Sequence, residues 1–163
     1  MTTPTNITNF HIPRWSELPN LDLYLDQTVN ILEKYLKNYI GNKEETIITK
    51  TMINNYVKQG LIKPPKKKKY NRIHIATLIV ICILKQIYSI NDISELIKLA
   101  NKTAKINTAY YQFCEALERA IFYTFDGVEY RLPEDSIFEQ SLLQSVAQSF
   151  ASKLYVEKTF LHK

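Results

Sequence analysis

The sequence predicts a mainly α-helical protein with one short pair of β-strands, and three observations carry that expectation. Apolar residues recur at three- and four-residue intervals through most of the chain, which is the period of an amphipathic helix. Only three glycines and six prolines interrupt the 163 residues, so long stretches carry no helix breaker. One run of lysines after Pro64-Pro65 offers the single place for a strand pair.

The elements follow in order. Ile12, Pro13, Trp15, Leu18 and Pro19 read as a clasp within residues 1–20, with Trp15 an aromatic anchor on the first helix. From Leu21 to Tyr39, Leu21, Tyr24, Leu25, Val29 (with Thr28), Leu32, Leu36 and Tyr39 fall at helical spacing, and Gly41 closes the run. Thr49 is suited to cap a second helix, its hydroxyl accepting from a first-turn amide. At about 100° per residue, Met52, Ile53, Tyr56 and Val57 share one face of that helix. Lys50, Thr51, Asn54, Asn55 and Lys58 share the other, which holds no acid. Gly60 can take the left-handed conformation that ends helices. Leu61 and Ile62 then return to the core, and Pro64-Pro65 stiffens the exit.

Ile73 to Tyr88 is rich in β-branched residues, and its apolar run from Ile75 to Leu84 alone would suit a buried strand. Its sixteen residues without Gly or Pro exceed an ordinary strand, so a buried central helix is predicted. His74 opens that helix as a cap or packing residue. Ser89 with Asp92 has the form of a capping box for the next one. Asn107 is placed to cap a helix to about Phe125, Asp126-Gly127 turns the chain, and Pro133 limits the connector. Asp135 or Ser136 then caps a last helix to about Leu161, with Phe138, Leu142, Val146, Phe150 and Leu154 as its core side, Ala147 and Ala151 between. Three segments result: the clasp at 1–20, a unit at 21–105 that holds the capped polar helix, the lysine run and the central helix, and a helical hairpin at 106–163. The hairpin either dimerises or completes the core.

Charge is concentrated rather than spread. Between Lys43 and His74 nine Lys/Arg stand against two Glu, so +7 of charge lies there and the remainder sums to −2 within a total of +5. Lys66, Lys67, Lys68, Lys69 and Arg72, with Tyr70 among them, form its densest part. A lysine run alone is usually a solubilising loop, and a polar helix face alone is usually just solvated. A basic hairpin directly behind a capped polar helix is instead the footprint of a polyanion reader. Asn pairs bidentately with an adenine edge, and Lys reaches guanine or phosphate. The order of helix, basic wing and buried helix is that of a winged helix-turn-helix.

Other functions find little support. Cys82 and Cys114 lie in apolar helical stretches and read as buried thiols. His11, His74 and His162 lack zinc-site spacing, and Gly41, Gly60 and Gly127 stand too far apart for a phosphate-cradling loop. Asp22 with Asp26, and Glu115 with Glu118, read as solvated pairs on helix faces. No catalytic residue, cofactor or metal is expected. Met1 to Asn9 has no apolar core of a signal peptide, and Ile75 to Leu84 is too short to span a bilayer, so a cytoplasmic protein is expected. Apolar residues at 45% suffice for a core.

Asn55-Tyr56-Val57-Lys58-Gln59-Gly60-Leu61-Ile62-Lys63-Pro64, Tyr70-Asn71-Arg72 and the stretch Tyr88 to Ile97 together resemble the MerR-like winged-helix domains. That family carries Tyr-Tyr-x-x-x-Gly-Leu-Leu-x-Pro at the first position and Phe-Ser-Leu-x-x-Ile-x-x-Leu-Leu at the last. The sequence departs from it in three ways. Asn54 and Asn55 stand for an Arg and the first Tyr, Lys66 to Lys69 replace a Gly-Tyr-Arg turn, and Gly41 to Ile48 lengthen the preceding connection. Over its length the chain also resembles an uncharacterised bacterial domain-of-unknown-function family (family 1836), through Ile12 to Pro19, Leu23-Tyr24-x-Asp26-Gln27 and Ile48 to Leu61. The MerR resemblance implies a transcriptional regulator that binds double-stranded DNA as a homodimer, with an effector module possible. Lys50, Thr51, Asn54, Asn55 and Lys58 would then face the major groove, and Lys66 to Lys69, Tyr70 and Arg72 would hold phosphates. A winged-helix adaptor that has lost DNA reading is the alternative.

Overall fold

The computed structural model describes residues 9–40, 45–161 and 163. It is mainly helical and forms two compact units. One comprises residues 13–97, and the other joins the segment ending at Ile12 to residues 98–163.

In the first unit Trp15–Glu17 make one turn of 3-10 helix. Strand β1 (Leu23–Tyr24) leads directly into α1 (Leu25–Leu36). The helix therefore starts four residues later than the spacing of Leu21 suggests. Gln27 accepts from the Tyr24 amide through Oε1 at 2.9 Å, and the Thr28 hydroxyl donates to the Tyr24 carbonyl at 3.0 Å. These bonds fix the start at Leu25, and Leu21 and Tyr24 stay exposed outside the core. The expected closure at Gly41 lies outside the described residues.

Helix α2 (Lys50–Lys58) has Thr49 as its cap, the hydroxyl accepting from the Met52 amide at 3.1 Å. Its C-terminus is a Schellman motif. Gly60 sits at φ +73, its amide donates to Val57, and the Leu61 amide reaches back to Tyr56 at 2.9 Å. Leu61 and Ile62 are buried as expected. Strand β2 (Lys69–Tyr70) pairs antiparallel with β1 in the register Leu23↔Tyr70 and Tyr24↔Lys69. The strand pair of the basic region is thus made with residues before α1, and the lysine run adds only a Lys66↔Lys69 bridge.

Helix α3 (Arg72–Leu84) is buried nearly all round, with Ile75, Leu78, Ile79, Ile81 and Ile83 at its centre. A helix apolar on every side has no face to give to water, so the helical reading over the strand holds. Helix α1 packs on α2, α3 and both strands. Helix α4 (Ile90–Thr103) begins in this unit and ends in the other. Ser89 caps it, its hydroxyl accepting from the Asp92 amide at 3.1 Å.

The second unit is built on α5 (Ile106–Asp126) packed against α6 (Phe138–Thr159). Gly127 ends α5 at φ +74. Phe10 joins the core at 6.5 Å from Phe150, and the Ile12 amide donates to Glu118 Oε1 at 2.9 Å. Two caps differ from expectation. Lys105 rather than Asn107 precedes α5, and Ile137 precedes α6, its amide donating to Gln140 rather than taking a cap from Asp135 or Ser136. Phe138 is also not core: it is 70% exposed, while Val146, Phe150 and Leu154 are buried. Steps of four residues drift by about 40° each on a helix of about 3.6 residues per turn. Four such steps carry Phe138 almost to the face opposite Leu154.

Candidate nucleic-acid interface

The connection into α2 is gripped from two sides. Glu33, on α1, accepts from the Ile47 and Ile48 amides at 2.9 and 3.2 Å. Lys85, just past α3, donates to the Ile47 carbonyl at 2.6 Å. Burial lowers the Lys85 ammonium from its ordinary value, which neighbouring Cys82 and Glu33 partly offset. Burial also pushes the Cys82 thiol up to about 12, against the pull of Lys85. The peptide just before Thr49 is therefore fixed by an anion and a cation from two helices, and these set where α2 begins.

So held, α2 buries Ile53 and Tyr56 and leaves Lys50, Thr51, Asn54, Asn55 and Lys58 exposed, as the helical spacing requires. Burial raises the Tyr56 hydroxyl above its usual value, so it stays protonated in the core. One feature of the polar face differs from the sequence reading. The face holds no acid of its own, but Asp26 of α1 reaches Lys50 at 2.5 Å. Both partners are well exposed, so the pair stabilises by about 0–1 kcal/mol and is easily exchanged for another anion.

The lysine run forms a two-residue turn. The Lys66 amide donates to the Lys69 carbonyl at 3.0 Å and the Lys69 amide to the Lys66 carbonyl at 2.9 Å. Between them Lys67 and Lys68 sit at φ 49 and 64, the left-handed pair of a type I′ hairpin turn. Asn-Gly is the usual choice there, because β-carbons strain the left-handed region. Two lysines in that place put exposed ammonium groups at the tip at the expense of backbone ease.

The base of the hairpin is tied into the unit by His74. Asn71 Oδ1 accepts from the His74 amide at 3.1 Å, and the Asn71 amide donates to His74 Nδ1 at 2.9 Å. Nε2 lies 3.0 Å from the Lys63 carbonyl. A ring that accepts at Nδ1 and donates at Nε2 is neutral imidazole. His74 therefore both caps α3 and holds the start of the hairpin.

Two expected phosphate contacts are turned elsewhere. Tyr70 is 2% exposed, its ring edge-on to His74 at 5.2 Å and its hydroxyl raised by burial. Its strand position points it inward, because alternate residues of a strand face opposite sides. Arg72 is half-buried, donates to the Leu18 carbonyl at 3.3 Å and lies 5.9 Å from the Trp15 ring centre. Trp15 therefore anchors this arginine, and Arg72 shapes an open cleft of about 310 Å³ with Trp15, Asn20, Asp22, Asn71 and Ile73. Tyr24, which its spacing placed in a helix core, is instead exposed beside the hairpin with Lys69 Nζ 5.1 Å from its ring centre. The sequence signal that Tyr24 precedes the helix is Gln27 three residues on, the position from which a capping side chain reaches back to the residue before the helix.

Among the described residues no group of His, Cys, Asp and Glu could hold a metal ion, and no helix is long and apolar enough to cross a membrane. Cys82 and Cys114 are buried thiols, as expected. The chain is thus a mainly helical protein whose first unit displays an exposed polar face on α2 and a lysine-tipped turn on one helical scaffold. It belongs to the family described as domain of unknown function (DUF1836), whose model matches residues 13–113. That stretch spans the whole first unit and ends within α5, so α6 lies outside it. No curated protein and no solved structure matches the chain.

Proposed function

We propose that the chain is a sequence-specific double-stranded DNA-binding regulator of transcription, acting in the cytoplasm with a MerR-like winged helix-turn-helix as its reader. The supporting observation is the strained turn at Lys67 and Lys68, exposed in a unit that also displays the polar face of α2. Backbone strain persists where the surroundings over-determine it, and it clusters at functional sites. Asn54, Asn55 and Thr51 would read base edges in the major groove, Lys50 and Lys58 would flank them, and Lys66 to Lys69 would take phosphates. Arg72 and Tyr70 support this surface from behind.

Fluorescence anisotropy on AT-rich duplexes under salt titration tests the proposal. A log–log salt slope of about −0.9 per contacted phosphate is expected, shallower when Lys66 to Lys69 become Ala. Absence of binding at low salt by the folded protein would refute it. A protein-interaction module is the competing reading, favoured by exposed Leu21, Tyr24 and Ile73 in the same unit. In that case the lysine variant would keep its partner.

A further inference from the structure

Among the described residues no carboxylate pairs with Arg72. Of the five N–H groups of its guanidinium, one donates to the Leu18 carbonyl at 3.3 Å, while Nε is buried and meets no acceptor. The Trp15 ring, 5.9 Å away, is its other contact. An arginine drawn this far into a fold ordinarily meets an acid. One is at hand: Asp22 lines the same cleft of about 310 Å³, yet the two side chains form no ion pair. Both positions are fixed by the strand pair, since Asp22 directly precedes Leu23 and Arg72 follows Tyr70 by two residues in the register Leu23↔Tyr70. Trp15, Pro19 and Ile73 supply apolar wall between these charges, and Asn20 adds a carboxamide at the rim.

We propose that this cleft binds a small zwitterion, its carboxylate taken by Arg72 and its ammonium by Asp22, with the free amino acids as the class that fits. Two opposite charges on one cleft, held apart, select against simple ions. Asp22 repels a phosphate or a plain carboxylate, and Arg72 repels a plain amine. A molecule bearing both charges satisfies each wall at once. The guanidinium is prepared for this, because a carboxylate can be gripped through two parallel N–H groups on an edge not committed to Leu18. Its contact with the Trp15 ring holds it in place and leaves its charge uncancelled. The apolar wall then takes the side chain of the ligand, in the usual pattern of an apolar site with a few placed polar groups. Size points the same way: the cleft is at the lower end of the ~300–1,000 Å³ range of ligand sites, so it suits a single amino acid better than a nucleotide or a peptide. The site lies on the first unit itself and does not rest on that unit reading DNA.

Trp15 is the only tryptophan and forms part of the wall, so its fluorescence and the NMR shift of its indole N–H both report occupancy. The free amino acids are titrated one at a time into the full chain. At least one should give a saturable change, with a Kd on the order of 0.01–1 mM for a ligand of about ten heavy atoms. Its N-acetyl derivative keeps the carboxylate without the ammonium, and its amide keeps the ammonium without the carboxylate. Each should bind about tenfold or more weakly, having lost one charge-assisted contact. Asp22 is exposed, so Asp22→Asn should leave the urea midpoint unchanged. That variant should lose affinity for the amino acid while binding the N-acetyl derivative as well as before or better, a reversal that a merely structural role would not produce. No change in either signal with any free amino acid, blocked derivatives that bind as well as the parent, or an Asp22→Asn variant with unaltered preference would each overturn the proposal. Duplex binding is read separately by anisotropy, so the failure of one reading leaves the other standing.

Discussion

Replacing Lys68 with glycine should stabilise the first unit while weakening its hold on polyanions. Lys68 sits at φ 64 in a turn closed by two backbone hydrogen bonds, and a left-handed non-glycine residue costs about 1–2 kcal/mol. Glycine removes that strain but gains freedom in the unfolded chain, which takes back about 0.5–1 kcal/mol. The net expectation is a gain of about 0.5–1 kcal/mol for Lys68→Gly. Lys67→Asn combined with Lys68→Gly, the preferred pair for this turn, should gain about 1–2 kcal/mol. With a urea dependence on the order of 2 kcal/mol per molar, the midpoints should rise by roughly 0.3–0.5 M and 0.5–1 M. Trp15 is the only tryptophan and belongs to the same unit, so its fluorescence follows the relevant transition. Lys68→Ala is the decisive control, because it removes the charge and keeps the strain. Both single variants should show the same shallower salt slope, and only the glycine variant should be stabilised. Equal midpoints for Gly and Ala would show that the turn is not strained in solution, and the functional weight placed on it would fall.

Glu33→Ala strands two part-buried amides, and at about 1–3 kcal/mol for each orphaned donor it should lose about 2–6 kcal/mol. Glu33→Gln keeps an acceptor and should lose less, with faster hydrogen exchange at Ile47 and Ile48 as the local readout; equal losses would refute the grip on α2. Asp26→Asn frees Lys50 from a surface ion pair and should tighten duplex binding several-fold at low salt, an effect that disappears at high salt; unchanged affinity would remove Lys50 from the interface. The Cys82 thiol has its folded value raised from 9.0 to about 12. Its stabilisation is complete below pH 9 and is lost as pH rises towards 12, because only the unfolded state ionises in that window. The loss should be about 1.4 kcal/mol at pH 10, and denaturation series at pH 8 and 10 should show a smaller fall for Cys82→Ala. Lys85, whose value is lowered from 10.5, contributes in the opposite sense: its stabilisation is present above 10.5 and lost on acidification through its folded value. Lys85→Met should therefore steepen the alkaline loss.

What the sequence made legible is what neighbours along the chain decide. Thr49 caps α2 and Gly60 ends it through bonds that span at most six residues, and α3 is a helix because sixteen unbroken residues cannot be a strand. Features set across the fold were hidden. Nothing near Tyr24 announces that its strand partner is Lys69, or that Glu33 will meet the Ile47 amide. The Phe138 misreading has another origin: four-residue spacing looks helical over two turns and fails over five. At Tyr70 and Arg72 a basic neighbourhood suggested phosphate contact, and burial assigned both to the support of that neighbourhood.

The pairing of Leu23 with Tyr70 limits how far the basic region can be excised. A peptide from Ile48 to Ala76 would contain every proposed DNA contact and still lack the strand against which the turn is set. It would lack Glu33 and Lys85 as well, so neither the start of α2 nor the handedness of the Lys67-Lys68 turn would be imposed on it. The smallest portable reader therefore begins near Pro13, and its folding must close a loop of more than forty residues before the lysines are in place. Such a surface arrives late in folding, and a nascent chain carries its charge long before it carries its shape.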